Sequence, residues 1–137
     1  APRIKRILEA LSGRTGAPDL GELDGMSDEE AQAYLVALPG VGPKTAACVL
    51  LFALARPVMP VDTHVHRVAR RLGVIDGRVS AEQAHPLLTE LAGPDDAGQI
   101  YAVHVGFVRH GRRICHARRP ACAECPLAPM CPSAGLV

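Results

Sequence analysis

The last 23 residues hold four cysteines, Cys115, Cys122, Cys125 and Cys131, spaced Cys-x6-Cys-x2-Cys-x5-Cys. Pro120, Pro126, Pro129 and Pro132 interrupt the same stretch and forbid long regular structure. A tail built this way cannot bury enough apolar surface to order itself, so bound metal must supply the ordering free energy. Four thiolates can hold zinc or a 4Fe–4S cluster. A zinc ribbon usually presents two close cysteine pairs, and here only Cys122 and Cys125 are close. The fifth cysteine, Cys48, stands apart on an apolar stretch and reads as core packing. An odd count without a secretory signal points to a reducing compartment and to ligation rather than disulfides.

Ahead of the tail the pattern is helical, and the expected class is all-α. Ile4, Ile7, Leu8 and Leu11 form one stripe, with Gly13 as its stop. Residues 12–26 read as a Gly/Pro/Asp-rich connection. Ser27 followed by Glu30 is a capping box, and Ala31, Tyr34, Leu35 and Leu38 give that helix its apolar face. A Pro-Gly-Val-Gly break follows. Pro43 then suits the first position of a helix over 43–55, apolar nearly all round. Asp62 can cap a helix running to Leu72, with Gly73 as its stop. Ser80 with Gln83 opens a helix over 81–92, where Pro86 predicts a kink or a later start. A last long helix opens at Pro94-Asp95-Asp96, turns Ile100, Val103, Phe107 and Val108 inward, and stops at Gly111. The organisation expected is a helical region over 1–111 and a cysteine loop over 112–137.

Composition excludes several classes. The chain is 48% apolar and carries a net charge of +1, so disorder is not expected. Its longest apolar run, Ala46 to Ala55, falls short of the roughly 20 residues of a membrane span. The opening residues do not read as a signal peptide. Aromatics are only 3%, which argues against single-strand binders that stack bases on aromatic platforms. Charge is uneven: residues 109–119 hold five arginines, two histidines and no acid. Such a patch suits a polyanion, although a solvated basic loop is the simpler reading.

Two short elements carry candidate chemistry. In Leu38-Pro39-Gly40-Val41-Gly42-Pro43-Lys44-Thr45-Ala46, two helices meet across a glycine turn, and the free amides at the second helix start can hold a phosphate. Lys44 sits in that helix's first turn, where the dipole disfavours an ammonium and favours the neutral, nucleophilic amine. The plain alternatives are an ordinary helical hairpin and a surface lysine. In Pro60-Val61-Asp62-Thr63-His64-Val65-His66-Arg67, Asp62 is an N-cap. It is also a carboxylate able to take a proton or stabilise a cationic sugar. His104 falls in step with Ile100 and Phe107 and reads as a core histidine. His64 and His66 are cleft candidates, and Arg67, Arg70 and Arg71 read as solvated, with DNA contact as the alternative for some of them.

Leu-Pro-Gly-Val-Gly-x-Lys-Thr-Ala, the Val-Asp-Thr-His element and the cysteine spacing together resemble the endonuclease III family of helix-hairpin-helix DNA glycosylases with an iron–sulfur loop. The resemblance covers roughly residues 1–133. It implies a 4Fe–4S cluster on Cys115, Cys122, Cys125 and Cys131, with Lys44 as Schiff-base lysine and Asp62 as catalytic carboxylate. Because the adenine-specific branch lacks a lysine at this place, it further implies a bifunctional glycosylase and AP lyase. Such an enzyme would excise oxidised pyrimidines from duplex DNA and cut the strand by β-elimination. Contacts to DNA would come from Gly40, Val41, Gly42, Lys44, Thr45, Arg113, Arg118 and Arg119. A monomer acting in the cytoplasm at the bacterial nucleoid is the matching expectation.

Family members carry several more helices before the stretch that begins here, so the expected six-helix barrel is partial. The rival expectations are a catalytically inactive or truncated DNA-binding member of the superfamily and a zinc-bound scaffold for protein contacts.

Overall fold

The computed structural model describes residues 2–137. Among them every regular element is helical. The six helices are α1 (Pro2–Thr15), α2 (Asp28–Val36), α3 (Pro43–Cys48), α4 (Thr63–Arg71), α5 (Ala81–Ala92) and α6 (Ala97–Arg113).

The caps are those the sequence specifies. Ser27 and Glu30 bond reciprocally at the start of α2, and Ser80 and Gln83 do so at α5. Asp62 accepts from the amides of His64 and Val65 at α4, and Asp96 accepts from Gln99 at α6. Each side chain satisfies amides that have no partner within the helix. The helix α5 starts at Ala81, as Ser80 requires, so a later start is ruled out; Pro86 lies inside it on an exposed position.

Four local expectations need correction. Gly13 does not stop α1, which runs to Thr15; Gly16, at φ +79°, ends it. The connection over 12–26 is not featureless, because a 3-10 turn at Gly21–Gly25 buries Leu23 almost completely. Residues 43–55 are not one α-helix: after Cys48 the chain widens into a π turn, Val49–Ala53. Gly111 does not stop α6, which continues to Arg113.

Two apolar clusters fill the interior. Leu11, Leu23, Leu35, Leu38, Ala46 and Leu50 form one, between α1, α2 and α3. Leu51, Val65, Ala69, Ala84, Leu88 and Ile100 form the other, between α4, α5 and α6. The seam between them is made by adjacent residues. Leu50 belongs to the first cluster and Leu51 to the second. Val58 then belongs to the first, and Met59 and Val61 to the second. Residues 57–61 form no regular element, and their apolar side chains alternate between the two clusters. Fully burying a side chain such as Leu50 or Met59 contributes roughly 1.5–3 kcal/mol, so the segment that delivers Asp62 is anchored on both sides. Three polar bonds fix it further. The Met59 amide donates to Thr89 Oγ1 at 2.9 Å, and the Met59 and Pro60 carbonyls bond His85 Nδ1 and His104 Nδ1, each at 2.9 Å.

Arg56 ties the connection after the π turn to the start of α2. Its guanidinium donates to Asp28 Oδ1 at 2.6 Å and to the carbonyls of Leu23 and Met26.

Candidate functional site

The helix-hairpin-helix turn forms where the sequence places it. Leu38 is buried under it, and Gly40 adopts φ +75°. That backbone conformation is what favours glycine there; the Arg3 side chain packs over it and could move aside for a Cβ. Gly42 caps α3 in an extended conformation and Pro43 takes the first helical position. Val41 and Gly42 are half-buried, whereas Lys44 and Thr45 are exposed on the first turn of α3, backed by the buried Ala46 and Ala47.

Asp62 ends the anchored segment and opens α4. Both of its cap bonds fall on Oδ1, at 2.9 and 2.8 Å. Oδ2 takes no hydrogen bond from the described residues, so the capping role leaves half of the carboxylate uncommitted. His104 connects this residue with Lys44. It is 8% exposed on α6, with Nδ1 on the Pro60 carbonyl. Burial holds its imidazole below the usual histidine range. The bond to Pro60 and the Asp62 carboxylate oppose that shift, and the Lys44 ammonium reinforces it. Both charges therefore reach one buried ring, although they lie on different helices 18 residues apart in sequence. Beside His104, Phe52 and Tyr101 meet edge to face, with centroids 5.9 Å apart, along an open groove that also includes Arg109 and Arg112. The core reading of His104 holds; what the sequence does not signal is its electrostatic link to Lys44 and Asp62.

The cysteine tail follows α6 as a series of short turns. The amides of Cys125, Ala128, Cys131 and Ala134 donate in succession to the carbonyls of Cys122, Cys125, Ala128 and Cys131. The loop after Cys115 is closed at its neck by the Ala121 amide on the Ile114 carbonyl, 2.9 Å. Arg113, Arg118 and Arg119 are exposed at the end of α6 and on this loop. None of the five cysteines is paired in a disulfide. Cys115, Cys122, Cys125 and Cys131 line one cavity, together with Arg71 and His110. Among the described residues, no three His, Cys, Asp or Glu side chains converge closely enough to hold a single metal ion. Four sulfurs arranged around a space fit a cluster better than one zinc ion, with His110 Nε2 standing 3.7 Å from Cys125 Sγ at its edge.

Arg67 and Arg71 are not solvated, contrary to the sequence reading. Arg67 donates to the carbonyls of Cys115 (3.0 Å) and Gly111 (2.8 Å) and contacts His64 Nδ1 at 3.0 Å. Arg71 donates to the carbonyls of His116 (2.6 Å) and Ala117 (3.1 Å). Nothing local in the sequence marks these two arginines apart from Arg70, which stays exposed. The spacing of Arg67 and Arg71 by four, on the face of α4 turned to α6, is the one available signal.

Fold and cysteine loop together define a helix-hairpin-helix protein carrying a cysteine-bound iron–sulfur module. Residues 115–131 match the iron-sulfur binding domain of endonuclease III. Over 97 residues the chain is 45% identical to endonuclease III of Rickettsia prowazekii, covering 71% of this chain and 44% of that protein. A non-covalent endonuclease III–DNA complex superposes with a TM-score of 0.71 at 30% identity, over 93% of this chain and 54% of the other. A trapped endonuclease III–DNA covalent intermediate superposes with a TM-score of 0.74 at 29% identity, over 97% and 57%. The chain belongs to the endonuclease III family of DNA glycosylases, and its four clustered cysteines are the ligands expected of that family's 4Fe–4S cluster. It spans about half the length of the curated relatives it matches. Among the described residues no helix is long and apolar enough to cross a membrane.

Proposed function

We propose that this chain carries the catalytic residues of a DNA glycosylase with AP lyase activity, acting on duplex DNA that contains an oxidised pyrimidine or an abasic site. The observation that carries the proposal is an exposed Lys44 on the first turn after the hairpin together with an Asp62 carboxylate whose cap bonds occupy Oδ1 alone. A relative caught as a covalent intermediate on DNA supports the same reading.

The target nucleotide must leave the base stack for Lys44 to reach its sugar. The neutral Nζ attacks C1′ as the glycosidic C–N bond breaks, and the base departs with the bonding electrons and takes up a proton. Asp62 accepts a proton from the amine and offsets the positive charge that builds on the sugar. Ring opening gives a Schiff base between Nζ and C1′. Loss of a proton from C2′ then expels the 3′-phosphate, which is the lyase step. Gly40, Val41, Gly42 and Thr45 present the turn and its amides to one backbone phosphate, and Arg113, Arg118 and Arg119 supply charge to others. Cys115, Cys122, Cys125 and Cys131 would hold the cluster, whose binding would supply the free energy that orders the loop bearing Arg118 and Arg119.

Borohydride trapping on a duplex with one abasic site tests this directly. Wild-type protein forms a covalent adduct, and Lys44→Ala forms none while keeping its helical content. An adduct that persists in Lys44→Ala overturns the assignment. The second reading is a DNA-binding member of the superfamily without activity. It predicts DNA affinity with no adduct for wild type as well.

A further inference from the structure

Arg71 touches the cysteine loop at both of its ends. One arm of its guanidinium, Nη1, lies 3.4 Å from Cys115 Sγ and 2.6 Å from the His116 carbonyl, and Nη2 holds the Ala117 carbonyl at 3.1 Å. Its own carbonyl lies 3.2 Å from Cys131 Sγ. One residue of α4 thus contacts the first and the last of the four sulfurs, 60 residues away from the second of them. Its neighbour Gly73, at φ +71°, packs closely enough on Pro132 that a Cβ would meet the ring at 3.3 Å, so the same end of α4 receives the returning chain. The Arg71 side chain itself helps to wall the cysteine cavity.

We propose that Arg71 is the positioning residue of the iron–sulfur loop, setting both how firmly the cluster is held and its reduction potential. Two physical effects act together. The planar guanidinium grips two successive carbonyls, which fixes the direction in which Cys115 enters the cavity. It also places a positive N–H donor on a cluster sulfur ligand. Hydrogen bonds to the sulfurs are among the factors that set iron–sulfur potentials. A cation there favours the state with one more electron, so its removal lowers the potential. The inference concerns the cluster and stands apart from Lys44 chemistry.

The test uses DNA-free holoprotein and two readouts: the rate at which a chelator bleaches the visible absorbance, and the midpoint potential by protein-film voltammetry. Loss of a group that orients a metal ligand typically weakens metal retention about 10–100-fold. Arg71→Gln should therefore lose its cluster at least about tenfold faster and show a lower potential. Arg71→Lys keeps a charge but not the fork, and should fall between Arg71→Gln and wild type on both readouts. Arg70→Gln removes the same charge from the adjacent, exposed position and should match wild type. If Arg71→Gln fails to accumulate as folded holoprotein, Arg71→Lys alone decides, with several-fold faster loss as the supporting result. Cluster loss and potential equal to those of Arg70→Gln would overturn the proposal.

Discussion

Gly111 on α6 and His64 on α4 approach so closely that a Cβ on Gly111 would lie 2.9 Å from His64 Cβ. The nearest atom is next to the His64 backbone and cannot swing away. The same approach lets the Gly111 carbonyl accept from Arg67. Gly111→Ala should therefore cost about 1–3 kcal/mol through overpacking, despite alanine's better helix propensity. Gly106, on the same helix, has nothing within 4 Å of its Cβ position. There the propensity effect acts alone, and Gly106→Ala should stabilise by roughly 0.5–1 kcal/mol. Thermal melts of the two variants should move in opposite directions; a Gly111→Ala protein melting at or above wild type would contradict this packing.

The cap and the charge of Asp62 are separable. Asparagine caps as well as aspartate, so Asp62→Asn should hold its melting temperature, whereas Asp62→Ala should lose about 1 kcal/mol. Both should slow base release by about 100-fold or more if the carboxylate handles a proton. Single-turnover release of a damaged base by Asp62→Asn at the wild-type rate would reduce Asp62 to a cap.

His85 and His104 make stability depend on pH in a defined direction. Burial comes first in depressing both below the usual 6.5. The carbonyl bonds and the nearby acids, Glu82 for His85 and Asp62 for His104, oppose the shift. Just below 6.5 the unfolded chain therefore binds more protons than the folded one, and stability rises with pH through that window. It is complete above the unfolded value and is lost as pH falls toward the depressed folded values. Urea midpoints measured between about pH 5 and 7.5 should show this slope, and His85→Gln should flatten it.

Removing a ligand should unravel the tail and little else. Cys125→Ser is expected to lose iron, visible absorbance and hydrogen-exchange protection after about Cys115, while α2 and α3 stay protected. Cys48 is half-buried and is not among the residues that line the cysteine cavity. Cys48→Ser should keep its iron in full. Full iron content in Cys125→Ser would remove that residue from the ligand set.

Features governed by neighbouring residues were legible in the sequence, and features governed by distant ones were not. Ser27 with Glu30, Ser80 with Gln83, and Asp62 each act within three residues, so their caps follow from spacing alone. The hairpin glycines and the cysteine intervals are similarly local. Gly111 misled because glycine commonly stops helices, whereas here it admits another helix. Arg67 and Arg71 misled because their partners lie more than 40 residues onward. The π turn is tied to Leu50 and Leu51 entering different clusters, and no short window records that division. Lys44 and Asp62 were individually visible, yet their shared influence on His104 depends on α6 placing that ring against the segment before α4.

The arginine clamp on the cysteine loop has an evolutionary corollary. Arg67 and Arg71 hold carbonyls of Gly111, Cys115, His116 and Ala117. Of the loop's side chains between its first two cysteines, none is gripped by either arginine. Beyond Cys115 the clamp reads only the main chain, so it is indifferent to residue identity at His116, Ala117 and Arg118. Descendants of this chain can exchange those residues, adding or shedding charge to suit a different nucleic-acid surface, while the loop keeps its path.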